Sequence, residues 1–246
     1  MTLATTYLGA NGWFLEFDQL RVLVDPWLRG TLSFPPGDWL LKGEMRNAQP
    51  VPDKLDLLLL TQGLADHAHP ASLELLPKHL PVIGSQAAAG VAKKLGFVDV
   101  TVLKPGEQTN HRGLDVRATA GAAVPMVENG YLLHHTAGSL YLEPHGFLDT
   151  AIPAQPLDAV ITPMVDLGLP ALGNFVKGQS VVPELIKRFQ PCTLLASTSG
   201  GDVRFSGAIS SLLQMGGSVS QTAASVPAST ACIDPIPGER YCLRTA

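Results

Sequence analysis

The sequence has no long apolar run. No stretch nears the roughly 18 uninterrupted apolar residues that a membrane span requires, and the opening MTLATTYLGANGW has no basic region followed by an apolar one. Neither a spanning helix nor an export signal is expected, so the expectation is a cytoplasmic chain with no membrane partner. Blocks of like charge are also missing. The formal net charge of −4 comes from 17 basic and 21 acidic residues in mixed order, so no nucleic-acid partner is expected. Cysteine is scarce: Cys192, Cys232 and Cys242 are odd in number and never take the Cys-x-x-Cys spacing of zinc or redox motifs. Reduced thiols in a reducing compartment are the expectation. Missing too are a Gly-x-Ser-x-Gly elbow, a Walker-type phosphate loop and a Gly-x-Gly-x-x-Gly turn opening a helix after a strand. Serine hydrolase, nucleotide triphosphatase and dinucleotide-dependent chemistries each lose their anchor.

What is present suffices for one large core, since 246 residues are 46% hydrophobic, and a single domain over 1–246 is expected. GWFLEF at 12–17 and RVLVD at 21–25 flank a polar pair and predict a β-hairpin. LDLLLL at 55–60 is apolar on consecutive positions, the pattern of a strand buried on both faces. Pro70 suits the first turn of a helix through ASLELL, and a second helix is predicted over 85–95. LDVRATA, NGYLLHH, SLYLE and DAVITP at 114–163 predict successive strands, and Val182, Leu185, Ile186 and Phe189 repeat at helical spacing before the strand TLLAS. An α/β fold, an αββα four-layer sandwich of two mixed sheets with outer helices, satisfies this order. A doubly wound parallel sheet is the alternative, disfavoured by the early hairpin. Two stretches, 26–52 and 163–178, are rich in Pro, Gly and apolar residues without clear periodicity. Both are expected to flank one cleft or to pack on the core, and the first, as a long loop, to serve as a lid or as a subunit contact in a homo-oligomer.

LLLLTQGLADHAHP places a polar turn between a buried strand and a helix start, where side chains can converge. It resembles the signature of the metallo-β-lactamase superfamily, Thr-His-x-His-x-Asp-His. Position by position the chain keeps Thr61, Asp66 and His67 but has Gln62 and Leu64 where that family carries its first two histidines. VDPWL at 24–28, following the hairpin, is similar to the ascorbate-phosphate lactonase-like branch. The resemblance implies the sandwich fold and a metal-dependent hydrolase. It also implies a damaged site: GAAVP at 121–125 has no third histidine, Pro144-His145 stand where Gly-Asp is usual, and STSGGD at 197–202 replaces the last histidine with Ser197, Thr198, Ser199 and Asp202.

The ligand set left by this comparison is Asp66, His67 and His145, with Asp166 or Asp202 as further oxygen donors and Asp66 also as the catalytic group. Three protein ligands and a water suit one divalent transition metal, zinc first and iron or manganese next. If the motif has degenerated fully, no ion binds, and Asp66 and His67 serve as helix-start polar residues. Gln62, His69 and Trp39 are the candidate contacts to a small-molecule substrate or ligand. A metal-free acid/base pair of Glu143 and Asp66 is a lesser alternative. His134 and His135, adjacent on a strand, point to opposite faces and are expected to be structural, and His79 and His111 are expected at the surface. Two functions remain: a hydrolase of an ester, lactone or phosphoester, or a non-catalytic protein that keeps the cleft to bind a ligand or partner.

Overall fold

The computed structural model describes every residue except Pro35, 124–126, 171–172, 199–201 and Ala246, together with the side chain of Val127. Two seven-stranded sheets carry the fold. The first runs Arg240–Cys242, Leu3–Gly9, Gly12–Phe17, Leu20–Val24, Leu57–Leu60, Val82–Gly84 and Val100–Val102 in spatial order. The second runs Ala231–Ile233, Thr193–Ser197, Ala159–Pro163, Gly138–Leu142, Val127–His135, Leu114–Ala123 and Gln108–His111. Both are mixed. The hairpin Gly12–Phe17/Leu20–Val24 is antiparallel, whereas Leu57–Leu60 adds in parallel to Leu20–Val24.

Strand periodicity explains the layering. Alternate residues of a strand face opposite sides, so Leu57 and Leu59 enter the core between the sheets, with Trp13, Leu15, Val116 and Leu133. Leu58 and Leu60 face the other way, into a second core with Ala88 and Ala92, which belong to the helix Gln86–Lys94. The second sheet repeats the arrangement: Leu195 faces the central core, while Leu194 and Ala196 pack beneath Val182, Leu185 and Phe189 of the helix Gly178–Phe189. The result is the four-layer sandwich, and LLLL is continuous because both of its faces are covered.

Several local expectations change. The helix at Pro70 stops at Leu73 instead of running through ASLELL. The stretch 26–52 holds the strands Thr31–Phe34 and Leu41–Met45, which form a three-stranded sheet with Val203–Ser206. Likewise 163–178 folds into a hairpin of Asp166–Leu169 and Gly173–Lys177, joined by Gln214–Gly216. Their strands are only four or five residues long and pair with a segment far along the chain, so periodicity gives no local sign of them. His135 packs edge-on against Phe17 with ring centroids 5.7 Å apart, His79 is exposed and His111 half-buried.

Candidate metal site and cleft

The site lies where strand ends of the two sheets meet. Leu57–Leu60 ends in Thr61 and Gln62, and a backbone bond from Asn129 N–H to the Thr61 carbonyl, 3.1 Å, ties this turn to the strand Val127–His135. Tyr131 reinforces the junction by donating to the Leu60 carbonyl at 2.9 Å. Glu128, next to Asn129 and fully buried, is thereby brought beside the Thr61–Pro70 turn.

Asp25 anchors His67. It follows the strand Leu20–Val24 with φ of 40°, a left-handed conformation that Asp tolerates better than most residues. Its carboxylate accepts from Thr61 N–H at 2.8 Å, from the Thr61 hydroxyl, and from His67 Nδ1–H at 2.8 Å. All three residues are fully buried. Fixing the proton on Nδ1 directs Nε2 away from Asp25 and into the site. Asp66 Oδ2 stands 3.5 Å from that Nε2, with the Asn11 and Gln62 amide nitrogens at 3.1 and 3.0 Å.

The second histidine arrives from the other sheet. Beyond Gly138–Leu142, Glu143 Oε2 accepts from the backbone of His145 and Phe147 at 3.1 and 2.6 Å, and Oε1 from Ala122 N–H at 3.4 Å. Gly146, with φ of 74°, lets the loop turn where an added Cβ would lie 2.7 Å from the Lys177 carbonyl carbon. This scaffold brings the His145 ring parallel to His67 with centroids 5.2 Å apart, and Nδ1 within 2.8 Å of Glu128 Oε1. That approach lacks hydrogen-bond alignment: both Glu128 oxygens and His145 Nδ1 have no hydrogen-bond partner although buried. Buried carboxylates left in this condition are costly unless a cation or donors compensate them.

His67, Glu128 and His145 each offer a ligand atom within 4.8 Å of the others, the one such His/Cys/Asp/Glu group found among the described residues. Two imidazoles and a carboxylate are a donor set suited to zinc or iron, and the orphaned Glu128 and His145 atoms give a cation something to satisfy. The residues fit a single divalent ion. Burial alone would push the His67 pKa down, but the Asp66 and Asp25 carboxylates overcome it and raise it to about 9. Asn11 pulls the other way: its Oδ1 accepts from the Thr198 hydroxyl at 2.8 Å, so its N–H faces Nε2 and favours a lone pair there. Burial raises the Glu143 carboxyl to about 7, against the opposing pull of His145.

An apolar cleft of about 290 Å³ opens onto Asp66 and His145, walled by both small sheets and by Trp27. Of the sequence candidates, the structure brings together His67 and His145, sets Asp66 beside them at the cleft, and buries Gln62 behind, on His67. His69 lies outside the cleft lining: its ring contacts Ser72 Oγ at 2.9 Å and the Thr31 carbonyl at 3.3 Å and packs on Trp27. Trp39 is 68% exposed and does not line the cleft. Trp27 is the tryptophan in the wall. Asp166 accepts from Gln179 N–H and Asn174, outside the cleft lining, and Asp202 forms part of the cleft wall while accepting from Tyr7 and Ala10. Ser199 and residues 124–125 of GAAVP lie outside the described residues. Glu143 supports the His145 loop and is fully buried, so no pair with Asp66 is seen. Sequence reasoning passed over Glu128 and Asp25. Asp25-Pro26 was a visible marker of kinship with no role attached, whereas Glu128 carried no signal beyond an acid at a strand start.

Two mixed sheets packed face to face beneath outer helices are the architecture of the metallo-β-lactamase class of folds. Residues 4–196 match the family described as the beta-lactamase superfamily domain, and the chain belongs to that family. Solved structures agree on the fold. Isothiocyanate hydrolase from Delia radicum gut bacteria is similar with a TM-score of 0.69 at 15% identity, covering 98% of this chain and 99% of that one. A metallo hydrolase of the hyperthermophilic archaeon Ignicoccus hospitalis gives 0.63 at 14% identity, with all of both chains covered. A metallo-beta-lactamase fold protein of Bacillus subtilis gives 0.62 at 13%, covering 98% of this chain and 100% of that one. No curated protein matches the chain.

Proposed function

We propose that this protein is a metal-dependent hydrolase with one divalent ion, held by His67 Nε2, a Glu128 oxygen and His145 Nδ1, that cleaves an ester, lactone or phosphoester bond. The observation that carries this reading is the buried group itself: three ligand atoms within 4.8 Å, two of the residues with atoms left without hydrogen bonds, reached from a cleft that His145 lines. When bound, a divalent ion would supply Lewis acidity and bring the pKa of a water to about 7. Asp25 holds the His67 ring and its tautomer. Glu143 holds the His145 backbone. Asp66, partly exposed on the cleft, would take a proton from the attacking water on Oδ2. The Asp25-Pro26 sequence after the hairpin supports placement in the ascorbate-phosphate lactonase-like branch, and three free cysteines support a cytoplasmic setting. The test is elemental analysis of protein purified without chelator. One zinc, iron or manganese per chain that is lost in His145→Ala supports the reading, and no metal, with none taken up on incubation, overturns it.

One observation favours a second reading, a non-catalytic protein that binds a ligand or partner in the cleft. The Asn11 and Gln62 amide nitrogens already stand 3.1 and 3.0 Å from His67 Nε2, on the side where an ion would sit. Absence of metal together with ligand binding to the cleft would select it.

A further inference from the structure

The walls of the cleft bear on what it admits. At about 290 Å³ it sits at the lower edge of the roughly 300–1,000 Å³ typical of small-molecule sites. Its apolar lining includes Trp27, Phe34, Leu167, Phe175, Phe205 and Met215, and the polar groups are Asn11, Thr198, Asp66, Asp202 and His145. No lysine or arginine lines it among the described residues, and the residues outside that description contain neither. The carboxylates are many: Asp66 and Asp202 on the wall, with Asp25, Glu128 and Glu143 buried around the two histidines. Enzymes that bind phosphate surround it with guanidinium, ammonium or clustered N–H donors. A phosphate here would meet carboxylates beside a single ion.

We infer that the substrate is an uncharged carboxylic ester or lactone with an apolar acyl or alkyl group, and not a phosphoester. This rests on the hydrolase reading above and narrows it. The apolar part lies along the aromatic wall, where each methylene withdrawn from water contributes, and the ester group lies at the polar end. Water adds to the carbonyl carbon, the bond from that carbon to the leaving oxygen breaks, and a proton from the water passes to the leaving oxygen. An acid and an alcohol result. The acid ionises, and repulsion from Asp66 and Asp202 favours its exit.

The experiment separates the ligand class from the hydrolase reading. On chelator-treated full-length protein, quenching of tryptophan fluorescence is titrated with N-methyl alkanamides of three to eight carbons and with alkylphosphonates of equal length. Amide affinity is expected to rise about threefold to fourfold per methylene, with phosphonates at least tenfold weaker. Met215→Arg, at a position 59% exposed and so tolerant of the change, should reverse that order. Equal or tighter phosphonate binding, or no dependence on chain length, overturns the inference. Zinc-loaded protein is then assayed on p-nitrophenyl hexanoate and p-nitrophenyl phosphate, where kcat/KM is expected to be at least 100-fold higher for the ester. Faster phosphoester turnover sinks the inference while leaving a hydrolase. Amide binding as expected with no turnover of either compound upholds the ligand class and refutes the hydrolase.

Discussion

His67 Nδ1 and Asp25 Oδ2 lie 2.8 Å apart although 42 residues separate them, and both side chains are fully buried. This contact fixes the orientation of the one histidine kept from the family motif. Asp25→Ala strips the acceptor from Thr61 N–H, the Thr61 hydroxyl and His67 Nδ1, so a loss of about 3 kcal/mol in urea unfolding is expected. Metal affinity, read by chelator competition, should fall about 10–100-fold. Unaltered affinity in a folded Asp25→Ala variant would show that His67 needs no anchor.

Glu128→Gln should separate function from stability. Removing a buried charge whose oxygens lack hydrogen bonds relieves a desolvation cost that outweighs the attraction lost to His67 and to His145 Nδ1, 2.8 Å from Glu128 Oε1. The metal-free variant is expected to be as stable as the parent or up to about 2 kcal/mol more so, while its metal content drops below a tenth. Marked destabilisation of the metal-free form would mean that Glu128 is structural.

Protons and an ion compete for His67 Nε2. Its pKa is raised from 6.5 to about 9, so the protonated form prevails through neutral pH and gives way only as pH approaches 9. Ion binding at pH 7.5 is therefore expected to release about one proton, and affinity to rise with pH up to about 9. Calorimetry in two buffers of different ionisation enthalpy counts the proton. Zero release would mean that the Asn11 amide keeps the ring neutral.

The two tryptophans of the 26–52 stretch should behave oppositely. Trp39 is 68% exposed and Trp27 1%, and an added Cβ at Gly43 would lie 2.8 Å from the Trp27 ring. Trp39→Ala is expected to change stability by no more than about 0.5 kcal/mol and to leave amide binding intact. Trp27→Ala should cost about 3–5 kcal/mol and weaken binding. A strong binding defect in Trp39→Ala would restore that residue to the cleft.

The sequence by itself determined the layers and the damage. Leu57–Leu60 is apolar on every position because both faces of its strand are covered, the spacing of Val182, Leu185 and Phe189 set a helix on the second sheet, and Gln62 and Leu64 announced the loss of two ligands. These are local properties, written in period and residue type. Only the tertiary structure decided the ligand set and the wall of the cleft. Glu128 on a strand start looks like any solvated acid until the Asn129–Thr61 backbone bond carries it to His67. Asp25 becomes an anchor only when its sheet neighbour Leu57–Leu60 delivers Thr61 and His67. The small sheets arise from pairing Leu41–Met45 with Val203–Ser206, a contact between distant segments that no window of sequence contains.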